Sequence, residues 1–184
     1  MSNQSNARHR PLCVDLDGTL IRTDSLRRAL FLLCRKNFLQ ALVALFHLIK
    51  GTWAYKLYLA DHVTLDPALL PYNDELIAWL KSEKAKGRGI ILATASEPRF
   101  AKTVADHVGL FSAFFASDVK INLKGKNKAA LLNKRYGKGK YDYAGNHHAD
   151  YAVWHDAHEA IVVNASAAVL KKARRMANVT KVIS

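Results

Sequence analysis

The chain has 184 residues, half of them hydrophobic, with four prolines and two cysteines. That suits one domain of ordinary size with a substantial core, and it excludes both a disordered chain and a disulfide-stapled mini-protein. A net charge of +13 points to anionic partners: phosphorylated substrates, anionic lipid or nucleic acid. Nucleic acid is the weakest of the three, because no basic run carries aromatic residues at stacking intervals.

The first ten residues, MSNQSNARHR, are polar, lack the apolar run of a secretory signal, and read as a tail. PLCVDL follows as the first predicted strand. Its Cys13 is most simply a buried free thiol, which suits a reducing cytoplasm. An insertion of about fifty residues then separates this strand from the next, far longer than the two to six residues usual for such connections. It reads as two or three helices capping the strand ends. Within it FLQALVALFHLI is apolar nearly all round, so one helical face cannot account for it. The run is shorter than a membrane-spanning helix needs. Arg27, Arg28, Arg35, Lys36, Lys50 and Lys56 flank it. Two readings stay open: a cap core with a solvated basic rim, or an interfacial helix on anionic lipid.

GIILATA is the second predicted strand. EPRFAKTVADHVGLF repeats Phe100, Val104, Val108 and Phe111 at helical spacing, with Gly109 placed to stop the helix. SAFFAS is a third strand, and KNKAALLNKRYG a short amphipathic helix ending at Gly137. YDYAG, the helix ADYAVWHDAH and the strand AIVVN complete the series. Strands alternating with helices predict an α/β fold, a Rossmann-like three-layer parallel sheet with a small helical cap after strand 1. In such sheets function gathers at the carboxyl ends of strands, here Asp15–Thr19, Thr94–Ser96, Ser117–Asp118 and Gly145–Asp150.

VDLDGTL is the most informative stretch. Two aspartates end an apolar strand, then a glycine and a threonine turn the chain. One carboxylate can face a substrate as nucleophile while Asp17, re-aimed by the turn, donates a proton to a leaving oxygen. Gly18 lets backbone N–H groups approach a phosphate. Residues 141–160 also attract notice, with four histidines and four acids. A zinc site fits poorly there, because adjacent His147 and His148 do not converge on one ion, and His155 and His158 lack a matching pair.

At D-x-D-G-T-L the chain resembles the haloacid dehalogenase superfamily. The resemblance implies Asp15 as nucleophile, Asp17 as acid and base, and Thr94 with Ala95 holding phosphate beside Gly18. It assigns Lys128 to neutralise nucleophile and phosphate, with Lys124 and Lys126 as alternatives. It implies Mg²⁺ held by Asp15, Asp17, Asn146 and Asp150, where Asn146 stands in place of the family's first acid and weakens the expected site. It divides the chain into a core of residues 1–24 and 73–184 and a cap of residues 25–72. The implied activity is phosphomonoester hydrolysis, with an isoprenoid-linked or sugar phosphate as substrate.

The stretches from DPALLPYNDELIAWL onward are similar to a phosphoserine-phosphatase-like branch that occurs alone or fused before a UbiA-type membrane prenyltransferase. This implies a free-standing form or the soluble part of a fusion, cytoplasmic or peripheral at the inner membrane face, with the membrane or the prenyltransferase as partner. The alternative function is a catalytically weak module that regulates or recruits that prenyltransferase.

Overall fold

The structure, a computed structural model, describes residues 10–184. The expected polar tail therefore lies, apart from Arg10, outside the described residues. Six strands form one parallel sheet: β1 (Leu12–Val14), β2 (Ile90–Ala93), β3 (Ala113–Phe115), β4 (Asp142–Gly145), β5 (Ala160–Val163) and β6 (Val179–Ile183). Their order is β3-β2-β1-β4-β5-β6. The chain winds outward from β1 to one edge, then restarts at β4 on the other side. The crevice at the carboxyl ends of β1 and β4 is thus the switch point where such sheets bind ligands.

Alternation along the strands divides the core into two layers. Leu12, Val14, Ile90, Leu92, Ile161 and Val163 face one side, packed with Leu76 and Leu80 of α4 (Asp74–Ala85) and Val104 of α5 (Pro98–Val108). Cys13, Ile91, Tyr143 and Val162 face the other. They meet Leu132 of α6 (Lys126–Tyr136), Trp154 of α7 (Tyr151–Asp156) and Ala173 of α8 (Ala167–Met176). Cys13 is a buried free thiol. α5 ends as expected at Gly109, whose φ of 66° gives the left-handed cap that glycine adopts without a Cβ penalty. Three elements lacked an expectation: α4, which hides in a lysine-rich segment, α8, and the edge strand β6, where Lys181 falls between Val179 and Ile183 on the less exposed face.

The insertion after β1 forms three helices: α1 (Ser25–Lys36), α2 (Phe38–Ile49) and α3 (Thr52–His62). Asp24 and Asn37 cap the first two by accepting from the N–H groups of Arg27 and Gln40. The helices share a small core of Ala29, Leu33, Ala41, Ala44, Tyr55 and Leu59. At the base of the insertion its two ends are tied together. Asn73 N–H donates to the Leu20 carbonyl at 2.9 Å, and Arg22 N–H to the Pro71 carbonyl at 2.8 Å.

Away from that crevice, Arg88 holds α4 to β4. Its guanidinium pairs with Asp142, which is 1% exposed, and with Glu83 at 2.9 Å. Arg10 lies 3.5 Å from Asp142, and the Glu159 N–H donates to it at 2.9 Å. Removing one partner of a buried pair strands the other charge. Arg88→Met is expected to lower unfolding free energy by about 2 kcal/mol in urea denaturation. That is below the ~3–5 kcal/mol of an unsupported pair, because Arg10 and the Glu159 amide still serve Asp142.

Candidate active site

The loops leaving β1, β2 and β4 enclose a cavity of about 650 Å³ at the switch point, and the insertion closes one side of it. Asp15, Asp17, Gly18, Ala95, Lys128, Asn146 and Asp150 line it together, drawn from four separate parts of the chain.

Lys128, in the first turn of α6, is buried and donates to Asp15 Oδ1 at 2.6 Å and to the Tyr143 hydroxyl at 2.7 Å. Tyr143, on β4, passes its own hydrogen to Asp150 Oδ1 at 2.8 Å. The other Asp150 oxygen accepts the N–H groups of Asn146 at 3.1 Å and His147 at 3.0 Å. A continuous chain therefore runs from Asp15 through Lys128 and Tyr143 to the loop that carries Asn146. Lys124 also lines the cavity, but Lys128 is the lysine that reaches Asp15.

Asp17 is held differently. Its Oδ1 accepts the Ser25 N–H and its Oδ2 the Ser96 hydroxyl, each at 2.7 Å, so the carboxyl spans the β1 loop, the start of α1 and the β2 loop. The backbone between Asp17 and Thr19 favours glycine. Gly18 has a φ of 77°, and a Cβ there would fall 2.1 Å from the Asn146 amide nitrogen.

Thr94 departs from its expected place. It is fully buried, its hydroxyl accepts the Ser96 N–H at 3.0 Å, and it is not among the lining residues. The hydroxyl at the cavity wall belongs to Ser96. The β3 loop also differs. Ser117 braces the Ala95 carbonyl at 2.8 Å and Asp118 closes a local turn on Lys120 and Ile121, while Asn122, Lys124 and Gly125 supply the lining. The histidines of 141–160 scatter. The His147 and His148 rings lie tilted at 44° with centroids 3.7 Å apart, and His155 pairs with Asp156 at 2.9 Å.

The residue that sequence reasoning missed most clearly is Tyr143, which sits in an apolar strand and carried only a core signal. Lys56 was visible as a basic flank alone. In the structure it is 5% exposed and donates to the Ala95 carbonyl at 2.6 Å and to Asn122 at 3.2 Å. The lone cation among the apolar positions of WAYKLYLA was its single hint.

Burial governs the electrostatics. It pushes the Asp15 carboxyl up to about 7, against the pull of the Lys128 ammonium, and also raises Asp17, against the hydrogen bonds from Ser96 and Ser25. Burial lowers Lys56. Two half-buried carboxyls with one directly paired ammonium leave negative charge that a cation would offset.

Among the described residues no three His, Cys, Asp or Glu side chains cluster as a metal site. Oxygen-bearing side chains line the cavity instead, among them Asp15, Asn146 and Asp150. Asp150 spends three of about four acceptor positions on Tyr143 and the two backbone amides. This all-oxygen set fits Mg²⁺, with less charge than two direct carboxylates would give.

The fold matches known structures. A haloacid dehalogenase-like hydrolase of Streptococcus pneumoniae superposes with a TM-score of 0.65 at 12% identity, over 96% of this chain and 94% of its own. This chain has the haloacid dehalogenase-like fold. A phosphoserine phosphatase held as a phospho-aspartyl intermediate analogue superposes on the same fold with a TM-score of 0.62 at 16% identity, over 95% and 92% of the two chains. No family model matches the sequence. An uncharacterized protein, y4nM, of Sinorhizobium fredii is 33% identical over 153 residues, covering 83% of this chain and 30% of the relative. The chain thus spans under a third of that relative's length. Among the described residues no helix is long and apolar enough to cross a membrane.

Proposed function

We propose that the protein is a phosphomonoester hydrolase working through an aspartyl-phosphate on Asp15. The observation that carries this reading is the meeting of Asp15, Asp17 and Lys128 in one cavity, with the lysine 2.6 Å from the first carboxylate. A phospho-aspartyl analogue of a phosphoserine phosphatase on the same fold adds to it. The division into a core of residues 1–24 and 73–184 and a cap of 25–72 belongs to the same proposal.

In the first step an Asp15 oxygen forms a bond to phosphorus as the bond to the leaving oxygen breaks. Asp17, entering protonated, gives its proton to that oxygen. Burial, which raises Asp17, favours the protonated form this step needs. In the second step Asp17 takes a proton from water, whose oxygen bonds to phosphorus as the Asp15–phosphorus bond breaks. Ser25 and Ser96 keep Asp17 in one orientation for both transfers. Lys128 offsets charge on Asp15 and the phosphoryl group, while Gly18 and Ala95 line the wall beside them. Arg22, Arg27, Lys56 and Lys124 add positive charge to the wall, which suits an anionic substrate. Mg²⁺, held by Asp15, the Asp17 carbonyl, Asn146 and Asp150, would neutralise charge between nucleophile and phosphate.

Phosphate release from a panel of phosphomonoesters, isoprenyl and sugar phosphates included, with and without Mg²⁺, tests the proposal. Turnover that needs Mg²⁺ is expected. No turnover on any member with Asp15 intact favours the second reading, a catalytically weak module that regulates or recruits a membrane prenyltransferase, which Asn146 in place of an acid motivates. Asn146→Asp adds a charged oxygen to the donor set and is expected to tighten Mg²⁺ binding about tenfold in calorimetry. Unchanged affinity would remove Asn146 from the metal's neighbourhood.

A further inference from the structure

The helix α2 is built inside out. Its buried residues are the small Ala41 and Ala44, which let it approach α1 and α3 closely. Its large apolar residues point away from the protein: Phe38 is 64% exposed, Leu39 71%, Phe46 66% and Ile49 83%. Isolated exposed leucines are ordinary, but a whole helix face of large apolar side chains marks a binding surface.

Charge identifies what binds. No Asp or Glu occurs from residue 25 through residue 60, whereas Arg27, Arg28, Arg35, Lys36 and Lys50 all fall within that span. Cations therefore bracket the apolar face at both ends, Arg35 and Lys36 before Phe38 and Lys50 after Ile49. A second copy of the chain is a poor occupant. Parallel or antiparallel, two α2 helices would stack like charges on each other, and each copy carries +13. An anionic lipid surface satisfies both features, since apolar side chains enter the acyl boundary while lysine and arginine meet the headgroups. The helix has 12 residues, about 18 Å, so it lies in the plane of the surface and does not cross it.

We propose that α2 seats this domain on an anionic lipid surface, in contact through Phe38, Leu39, Phe46 and Ile49 and ringed by Arg35, Lys36 and Lys50. The cavity opens beside the seat. Thr52, which lines it, follows Ile49 by three residues, at most about 11 Å of chain. Arg27, another lining residue, sits one helical turn from exposed Phe31 on α1. The inference stands on this face and on charge, independent of the hydrolytic chemistry.

Sedimentation with vesicles tests it without any turnover. The full chain is expected to pellet with phosphatidylglycerol–phosphatidylcholine vesicles, to stay in solution with phosphatidylcholine alone, and to release as salt rises. Phe46→Asp with Ile49→Asp is expected to reduce the bound fraction at least tenfold. Arg35→Ser with Lys36→Ser should weaken binding and flatten its salt dependence. All four positions are exposed, so an unchanged melting temperature certifies the variants. Failure of the native chain to bind phosphatidylglycerol vesicles at low salt overturns the proposal. So does binding indifferent to Phe46→Asp with Ile49→Asp. A dimer in sedimentation equilibrium that the same pair disperses gives the face to a second copy, and overturns it too.

Discussion

Asp15→Asn is expected to lower phosphate release by at least about 10³-fold while the protein stays folded, because an amide oxygen cannot serve as the phosphoryl acceptor. The substitution keeps the shape of the side chain. Lys128 can still donate to the amide oxygen that replaces Oδ1, now 2.6 Å away. Steady-state phosphate release and a thermal melt on the same preparation check both halves. Full activity in Asp15→Asn would remove the nucleophile and with it the covalent route. Loss of folding would instead show that the Asp15–Lys128 contact is structural.

Lys128→Met should be nearly as damaging, about 10²- to 10³-fold in kcat/KM, and it carries a distinguishing pH signature. Burial already raises Asp15 to about 7, and Lys128 is the largest influence opposing that rise. The sign follows directly. Without the ammonium the carboxyl holds its proton to still higher pH, so less nucleophile is ionised at neutrality. The acidic limb of the pH–rate profile is therefore expected to move to higher pH, with part of the lost activity returning as pH increases. A uniform loss across pH would make Lys128 a phosphate-binding group that does not tune Asp15. The neighbouring Tyr143 hydroxyl, left without the Lys128 donor, still donates to Asp150, so the Asn146 loop should survive the change.

These expectations draw on residues of unequal visibility in the sequence. Asp15 and Asp17 were legible because two acids closing an apolar strand before Gly-Thr is a rare and chemically meaningful pattern. Lys128 was legible as one of three lysines at a helix start, and its distance to Asp15 separates it from the others. Thr94 shows the limit of motif reading. A threonine at a strand end is correctly located, yet its hydroxyl accepts the Ser96 N–H, leaving Ser96 at the wall. Tyr143 could not be found at all, since its place in a core strand conceals a hydroxyl that links two loops.

α2 shows a different limit. An apolar helix looks the same in sequence whether its large residues face inward or outward. Packing decided it. Ala41 and Ala44 fill the narrow gap against α1 and α3, and the bulky residues have nowhere to go but outward.

What the sequence determined by itself was the alternation of the first five strands with helices, the insertion after β1, the carboxylate pair and the unusual Asn146. Those follow from local periodicity and from chemistry carried by neighbouring residues. The sixth strand, the Lys128–Tyr143–Asp150 chain, the Ser25 and Ser96 grip on Asp17 and the entry of Lys56 into the cavity were decided by tertiary structure alone. Each joins residues distant along the chain or hides a polar atom within an apolar element, and only the assembled parallel sheet, with its switch point beside β1, brings them within hydrogen-bonding distance.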